Sequence, residues 1–589
     1  MKPHASSALR SSAYRQLMQL AVVCLAACLP AICQNTNGRI IGIVTDPQGA
    51  AIAGAKVTVA NAGTNIQRTT LTDGTGSYQV LDLPIGRYVV TAEIKGFTKA
   101  VTQPQELNIN QSLRVDIALK VGATTEVVQV QSQTSQVETV NPTVGGTVTG
   151  RPIQDLPLNG REVLDLAFTQ PGVLPAPTNG FAYGSEKSGE FAEGFTVAGG
   201  RPDAVTYLLD GGLNNSVTSN NVVFDPNPDT VDEFRILTNN YTAEYGRNAG
   251  GTVTVVTKSG TNDLHGSLFD YLRNDDFNAN DYFDKELGLP RPVLKRNQFG
   301  GTFGGPIIKD RLFYFFGYQG QRQTSITHGT AVTTYTPAEL QGNFSQAVSG
   351  APDPNVVAYL QAHPYFQSNP ALANQGIIDP TKIDPVAKAY ISAGLIPTTP
   401  NGQLFPEGRA VDNVNQYTGK LDFYATPTDR LSLTVGSNQE PTVLPLQVFA
   451  TVLGFPSDTS TTNQFLNLAY TKTFSPSLLN EAHATANRYY NTSSAGSQPP
   501  DPAELGVHIN SDLGFAPPII QLLSSNLVIG FDPNLPRTKA DDTYGISDTL
   551  TWTRGRHTIK TGGRFAILQE NSVYAYATNG WFFFYGANT

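Results

Sequence analysis

The chain has 589 residues, of which 40% are hydrophobic and 15% charged, and a formal net charge of −9. That length admits several domains, and the charge content is below the usual ~25%. No basic run stands out, which argues against a nucleic-acid partner. The seven histidines (His4, His265, His328, His363, His483, His508, His557) are scattered and none forms HExxH. A zinc peptidase is therefore not expected, nor is any metal or cofactor. The mean hydropathy of −0.20 leaves a membrane open, because a barrel strand shows lipid only every second residue and its polar residues cancel the average.

Residues 1–33 read as a secretory signal. Lys2, Arg10 and Arg15 supply its positive region, residues 20–29 an apolar core, and Pro30 breaks that core ahead of Ala31-Ile32-Cys33. The apolar run is too short for a spanning helix, which needs ~20 residues. Leu25-Ala26-Ala27-Cys28 also has the form of a lipoprotein processing box, so lipidation at Cys28 stays open. Cys24, Cys28, Cys33, Met1 and Met18 all lie in this leader. Cleavage behind Cys33 leaves a chain with no disulfide or thiolate site. Loss of three leader cations takes the net charge from −9 to −12.

Residues 38–121 read as short strands between turns at 46–49, 73–76 and 83–86. Ile41 and Ile43, Val57 and Val59, and Tyr88 and Val90 recur at the β period. Several strands in so short a span predict a small β-sandwich. The strings GIVTDPQG at 42–49, GAKV at 54–57, DGTGSY at 73–78 and LPIGRY at 83–88 resemble the carboxypeptidase regulatory-like domain. That resemblance implies a transthyretin-type sandwich and, despite its name, no peptidase.

A polar linker follows at 122–142, holding one extended segment: Glu126, Val127, Val128, Gln129 and Val130. Either a second protein captures it by strand addition, or it is a last sandwich strand or the first strand of the next domain. Residues 143–260 mix strands with short helices and many glycines, as a compact α/β domain does. A turn at 153–161 leads into a short amphipathic helix near Leu164, Leu166 and Phe168, ended by Pro171-Gly172. Residues 195–201 and 205–212 read as a strand pair around a turn, and 229–237 as another short amphipathic segment. Gly199-Gly200 and Gly250-Gly251 lack the spacing of a phosphate cradle and read as tight turns. Asp210, Glu233 and Glu244 are carboxylates that an acid pair would need, but solvated or loop positions explain them better, and no enzyme is expected.

From 261 to 589 β alternation recurs. Leu431, Leu433 and Val435 alternate with Ser432, Thr434 and Gly436; Tyr417, Gly419, Leu421 and Phe423 alternate with Thr418, Lys420 and Asp422. Strands are predicted near 263–273, 296–305, 311–322, 414–425, 430–438, 463–474, 478–490, 542–553 and 557–568. Their connections alternate between short (306–310, 426–429, 475–477, 554–556) and long (274–295, 323–413, 439–462, 491–541). Outer-membrane barrels keep short turns on one rim and long loops on the other; a soluble all-β adhesin has no reason to.

The string EYGRNAGGTVTVVTK at 244–258 resembles the end of a TonB-dependent receptor plug, and RNQFGGTFGGP at 296–306 with KDRLFYFF at 309–316 resembles the Oar-like barrel subgroup. The resemblance spans nearly the whole mature chain in the order sandwich, coupling segment, plug, barrel. It implies a mainly β protein: an N-terminal sandwich, a small α/β plug and antiparallel transmembrane barrel strands. It further implies that Glu126–Val130 sits where a TonB box belongs, and that the TonB–ExbB–ExbD complex, outer-membrane lipid and a small extracellular ligand (siderophore, glycan or peptide) are partners. The sandwich and plug are expected on the periplasmic side. The alternative is a non-transporting surface protein that binds carbohydrate or adheres. About ten strands fall short of the ~22 of such barrels, and no terminal aromatic residue closes the chain, so a C-terminally truncated, incomplete barrel is expected.

Overall fold

The computed structural model describes residues 37–585 apart from 123–126, 131–142, 176–193, 281, 287, 289, 346–350, 448, 509–515 and 555–556. The signal segment, the last four residues, Glu126 and most of the linker thus lie outside the described residues.

The sandwich packs two sheets. One contains β1 (Gly38–Thr45), β4 (Ser77–Leu83), β8 (Ser112–Arg114) and β9 (Ile117–Ala118). The other contains β2 (Lys56–Asn61), β3 (Gln67–Leu71), β5 (Gly86–Glu93), β6 (Lys99–Thr102), β7 (Gln105–Leu107) and, at its edge, β10 (Val127–Val130). Val57, Val59, Tyr88 and Val90 form the core with Ile40, Val44, Val115 and Leu119, as alternation requires. The first strand presents the opposite face from the one expected: Ile40 and Val44 are buried, while Ile41 and Ile43 are only half-buried. Gly42 explains the choice. A Cβ there would lie 2.0 Å from the Val115 carbonyl oxygen, so only glycine lets this strand turn that face inward, where Tyr78 Oη donates to the same carbonyl at 2.6 Å.

The α/β unit contains β11 (Val144–Thr149), β12 (Val173–Pro175), β13 (Phe195–Val197), β14 (Thr206–Leu209), β15 (Gly212–Leu213), β16 (Val231–Asn239) and β17 (Thr252–Thr257). Five of these form one sheet in the order β11-β16-β17-β14-β15. The expected pairing of 195–201 with 205–212 is corrected here. β13 pairs antiparallel with β12 instead, while β14 runs parallel to β17 and turns back on β15. Residues 231–237 are a strand rather than an amphipathic turn. Strand β16 is flanked on both sides by other strands and is buried on both faces, so no alternation marks it. The amphipathic segment near Leu164 is a 3-10 helix, Val163–Thr169, with Val163, Leu166 and Ala167 buried.

Nine long strands make one antiparallel sheet in strict chain order. They are β18 (His265–Asn274), β19 (Leu294–Ile308), β20 (Leu312–His328), β23 (Glu407–Thr426), β24 (Asp429–Leu444), β25 (Ser457–Ser475), β26 (Leu478–Ala495), β29 (Arg537–Arg554) and β30 (His557–Tyr574). Short strands between them, β21 (Val332–Thr333), β22 (Gln403–Leu404), β27 (Ile519–Leu522) and β28 (Leu527–Ile529), together with β31 (Trp581–Phe584), lie in or beyond the long connections. Among the described residues no pairing joins β18 to β30, so the wall is open there.

Burial in this wall is inverted relative to a soluble sheet. Thr434 is 1% exposed and Ser432 is buried beside it, whereas Leu431 and Val435 are each 40% exposed. Polar side chains face the α/β unit inside the wall, and aliphatic ones face outward. The outward residues align across the sheet: Tyr314, Leu421, Leu433, Leu468, Ala484, Ile546 and Phe565 are successive cross-strand partners. A continuous apolar row on the outside of a sheet whose inside is wet is the lipid band of a transmembrane barrel.

Apart from β19, which runs three residues further to Ile308, each strand lies within two residues of expectation at its short-turn end, and all run further at the other. Strand β23 has 20 residues, or ~68 Å, whereas ~9–11 tilted residues cross a bilayer. The surplus lies on the long-loop side, where residues such as Ser460, Thr462, Thr492 and Ser494 occupy the outward positions in place of apolar ones. There the long connections pack into a cap of their own. Val332, Val452, Phe455, Leu527, Ile529, Phe531 and Leu535 share its core, and Phe455 and Phe531 meet edge-on at 5.3 Å.

A cation placed on the apolar row tests this reading. Leu433→Arg should lower stability by ~2–4 kcal/mol, while Gln439→Arg, farther up the same outward face, should cost ~0–1 kcal/mol. Denaturant titration of protein folded into lipid vesicles measures both.

Candidate functional site: the seat of the inner domain, its clamp and the chamber above it

The inner domain is held in the wall by one turn. Leu209 and Gly212 are cross-strand partners, so Asp210-Gly211 is a two-residue hairpin loop. Their φ values of 47° and 82° are those of a type I′ turn, for which Asp-Gly is among the strongest short-range sequence signals; that signal stood in the chain unused. At the tip, the buried Asp210 carboxylate accepts from Thr257 N (3.0 Å) and Thr257 Oγ1 (2.6 Å) of its own domain. From the wall it accepts Lys420 Nζ (3.1 Å) and Thr434 Oγ1 (2.7 Å). Lys420 Nζ also donates to the Thr257 carbonyl at 2.9 Å. Asn467 Nδ2 donates to the main-chain carbonyl of Asp210 at 2.8 Å, and Asn487 Nδ2 to that of Leu213 at 2.6 Å. The approach is close enough to require glycine. A Cβ on Gly211 would lie 2.6 Å from the His483 ring, and one on Gly212 2.8 Å from Thr485.

Two further contacts flank this seat. The Arg161 guanidinium pairs with Asp229, donates from Nε to Gln319 Oε1 at 3.1 Å, and sits 4.5 Å and 4.2 Å from the Phe269 and Tyr271 ring centres. Gln416 accepts from Asn227 N at 2.7 Å and donates to the Asp225 carbonyl at 2.8 Å. These contacts are polar and buried, so each is strong only while both partners stay in place.

On the short-turn side the sandwich is clamped to the inner domain. The turn after β7 puts Ile109 against β16. Ile109 N donates to both Glu233 oxygens at 2.9 Å, Arg235 donates to the Ile109 carbonyl, and Asn110 Nδ2 donates to Tyr245 Oη at 2.6 Å. Burial pushes the Glu233 carboxyl up to about 8 from its ordinary 4.5, against the smaller, opposing effect of the Ile109 hydrogen bond. The sandwich also touches the short turns of the wall, with Asn262 N donating to the Gly63 carbonyl at 2.9 Å and Arg68 Nη1 to Thr473 Oγ1 at 2.8 Å.

The expected coupling segment divides. Glu126 is outside the described residues. The backbone of Val127, Val128, Gln129 and Val130 is strand β10, parallel to β6, with Val127 opposite Lys99 and Val130 opposite Thr102. Strand β10 is the outermost strand of its sheet, so its other edge carries no strand among the described residues. Asp210 and Glu233, weighed in the sequence only as members of an acid pair, are the seat and the clamp respectively. Glu244 pairs with Lys560 of the last wall strand at 2.9 Å.

Above the seat a chamber of about 900 Å³ lies between the tip of the inner domain and the long-loop ends of β19, β20, β23 and β24. Its lining mixes amide and charged side chains with apolar ones such as Leu164, Phe168, Val222 and Leu294. Among the described residues no cluster of three or more His, Cys, Asp or Glu is arranged to hold a metal ion.

Comparison with known proteins agrees with this layout. The Outer membrane beta barrel domain family matches residues 256–589, and the Carboxypeptidase regulatory-like domain family matches 39–120. The TonB-dependent transporter Oar of Myxococcus xanthus is 29% identical over 302 residues, 48% of this chain and 26% of that protein. Among solved structures, the outer membrane transporter YddB of Escherichia coli is similar at a TM-score of 0.45 and 12% identity, over 73% of this chain and 48% of that one. The siderophore receptor PirA of Acinetobacter baumannii gives a TM-score of 0.36 and 15% identity, over 74% of this chain and 55% of that one. The chain thus spans about a quarter of the length of its curated relative and about half that of these two structures. With the barrel-domain match covering more than half of the chain and a regulatory-like sandwich ahead of it, this protein belongs to the outer-membrane β-barrel domain family of the Gram-negative outer membrane.

Proposed function

We propose that this protein imports a scarce extracellular ligand across the outer membrane, with energy delivered through the TonB–ExbB–ExbD complex. The observation that carries the proposal is the seat: beside the apolar contact of Phe465 and Phe224, buried polar bonds around Asp210 fix the plug in its wall. An apolar interface is non-directional and weakens gradually as area is exposed. A hydrogen-bonded ion pair fails within a small displacement, so a modest pull releases the plug and its return restores every bond. The chamber above the seat receives the ligand, and the polar inner wall offers a wet path once the plug moves. No covalent chemistry is required.

Glu126–Val130 is the segment we assign to TonB. A strand stored at a sheet edge suits capture by strand addition, because its outward backbone groups are a ready template. A partner either pairs on that open side or displaces β10 from β6. The sandwich and plug lie on the periplasmic side in this reading, and the long-loop cap faces the medium.

Removing residues 126–130 should abolish energy-dependent uptake and leave ligand binding at the cell surface unchanged; a transport assay alongside whole-cell binding checks this, and uptake that survives the deletion rejects the proposal. Asp210→Ala leaves Lys420 buried without its anion, at ~3–5 kcal/mol. The expected result is a loosened plug, read as a lower unfolding midpoint and as new sensitivity of cells to bulky antibiotics. Glu233→Gln tests the clamp. The stability that Glu233 contributes through its raised pKa is fully present below 4.5 and is lost as pH rises through about 8. Unfolding midpoints of the unsubstituted protein should therefore fall across that window, and those of Glu233→Gln should stay flatter.

A further inference from the structure

We propose that the chamber above the plug takes a neutral, polyhydroxylated ligand, an oligosaccharide of a few units, rather than an anionic metal chelate. This inference deepens the importer reading and rests on it.

Three wall side chains carry the argument. Asp412 on β23, Asn438 on β24 and Asn463 on β25 all line the chamber, and the last two are direct cross-strand partners. Each has a buried acceptor oxygen, Oδ1, that no protein group satisfies. Asp412 is only 9% exposed, and its other oxygen already accepts from Gln321 Nε2 at 3.2 Å. Buried acceptors without donors are costly, and water fills such places in a free protein. A ligand hydroxyl donates as water does and replaces it without loss. Asn438 and Asn463 thus hold two neighbouring acceptors suited to hydroxyl donors, and Asp412 a third, four residues along β23 from Gln416, the partner of Asn438.

The charges of the chamber point the same way, because the six carboxylates of its lining outnumber its four cations, each of which is already engaged. Arg161 is taken by Asp229 and Gln319, Arg273 Nη1 donates to Asn159 Oδ1 at 2.8 Å, Arg296 pairs with Gln323, and Lys539 lies 3.8 Å from Asp541. An anionic chelate entering here meets unspent acceptors, which repel it. One aromatic face remains open: Phe168 is 42% exposed at the chamber wall and is held edge-on by Phe195 at 6.0 Å. A flat ring in the same chamber as these hydroxyl acceptors can cover the C–H face of a sugar while the acceptors take its O–H groups.

The test uses the full chain purified in detergent and titrated calorimetrically with a fixed panel: neutral malto-, xylo- and cello-oligosaccharides, a ferric tris-catecholate and spermidine. At least one neutral oligosaccharide should bind saturably, with an affinity insensitive to salt, and the catecholate and the amine should not. Asn438→Ala and Asn463→Ala should each weaken that binding by about tenfold. Preference for the catecholate or the amine overturns the proposal, as does silence across the panel or binding unchanged in both variants. The panel on the unsubstituted protein decides even if a variant fails to fold. Binding by purified protein needs no energy source. An oligosaccharide that binds here yet enters cells without residues 126–130 therefore overturns the importer reading and leaves the chamber assignment standing.

Discussion

A single buried carboxylate sets the geometry of this molecule. Asp210 stands at the tip of a two-residue hairpin, is braced from behind by Thr257, and receives Lys420 and Thr434 from two neighbouring wall strands. Taking those charges out of water is expensive, and their mutual attraction offsets the cost only with near-ideal geometry. The wall must therefore present Lys420 and Thr434 in fixed register, and the hairpin must come close enough to meet them. The glycines at 211 and 212, the inward amides of Asn467 and Asn487 and the turn's left-handed backbone all follow from that demand.

Much of the wall was legible in the chain, because the bilayer imposes a simple rule. Where lipid lies on one side and water on the other, residues must alternate, and the alternation around Leu431–Gly436 or Tyr417–Phe423 locates each crossing. The rule ends where the lipid ends. Past the headgroups both faces of a strand are polar, so the outer thirds of β23, β24 and β25 carry no periodic signal and were read as loop. The cap core around Phe455 and Phe531 was hidden for a related reason: its members are collected from three separate connections, and no local window contains the pattern.

The inner domain was legible in outline but not in pairing. A strand such as β16, flanked by β11 and β17 and buried on both faces, shows neither alternation nor helical period, and local reasoning has nothing to separate it from a buried turn. Asp210 and Glu233 stood out as carboxylates, yet their roles depend on partners more than a hundred residues away, Lys420 for one and Ile109 for the other. Only the Asp-Gly dipeptide at 210–211 is a local hairpin signal, and reading 205–212 as a single strand passes over it.

The clamp at Ile109 has a mechanical corollary. It fastens the sandwich to the plug upstream of residues 122–142, and β11 enters the plug's own sheet just downstream of them. The chain on either side of that stretch is therefore fastened to the same inner domain. Tension applied along that stretch divides between the two attachments. The four-residue β10–β6 ribbon unzips one rung at a time, whereas the bonds at Asp210 lie in shear and must yield together. Between the clamp and the seat, the β10–β6 pairing is thus a further set of bonds on the same path of chain.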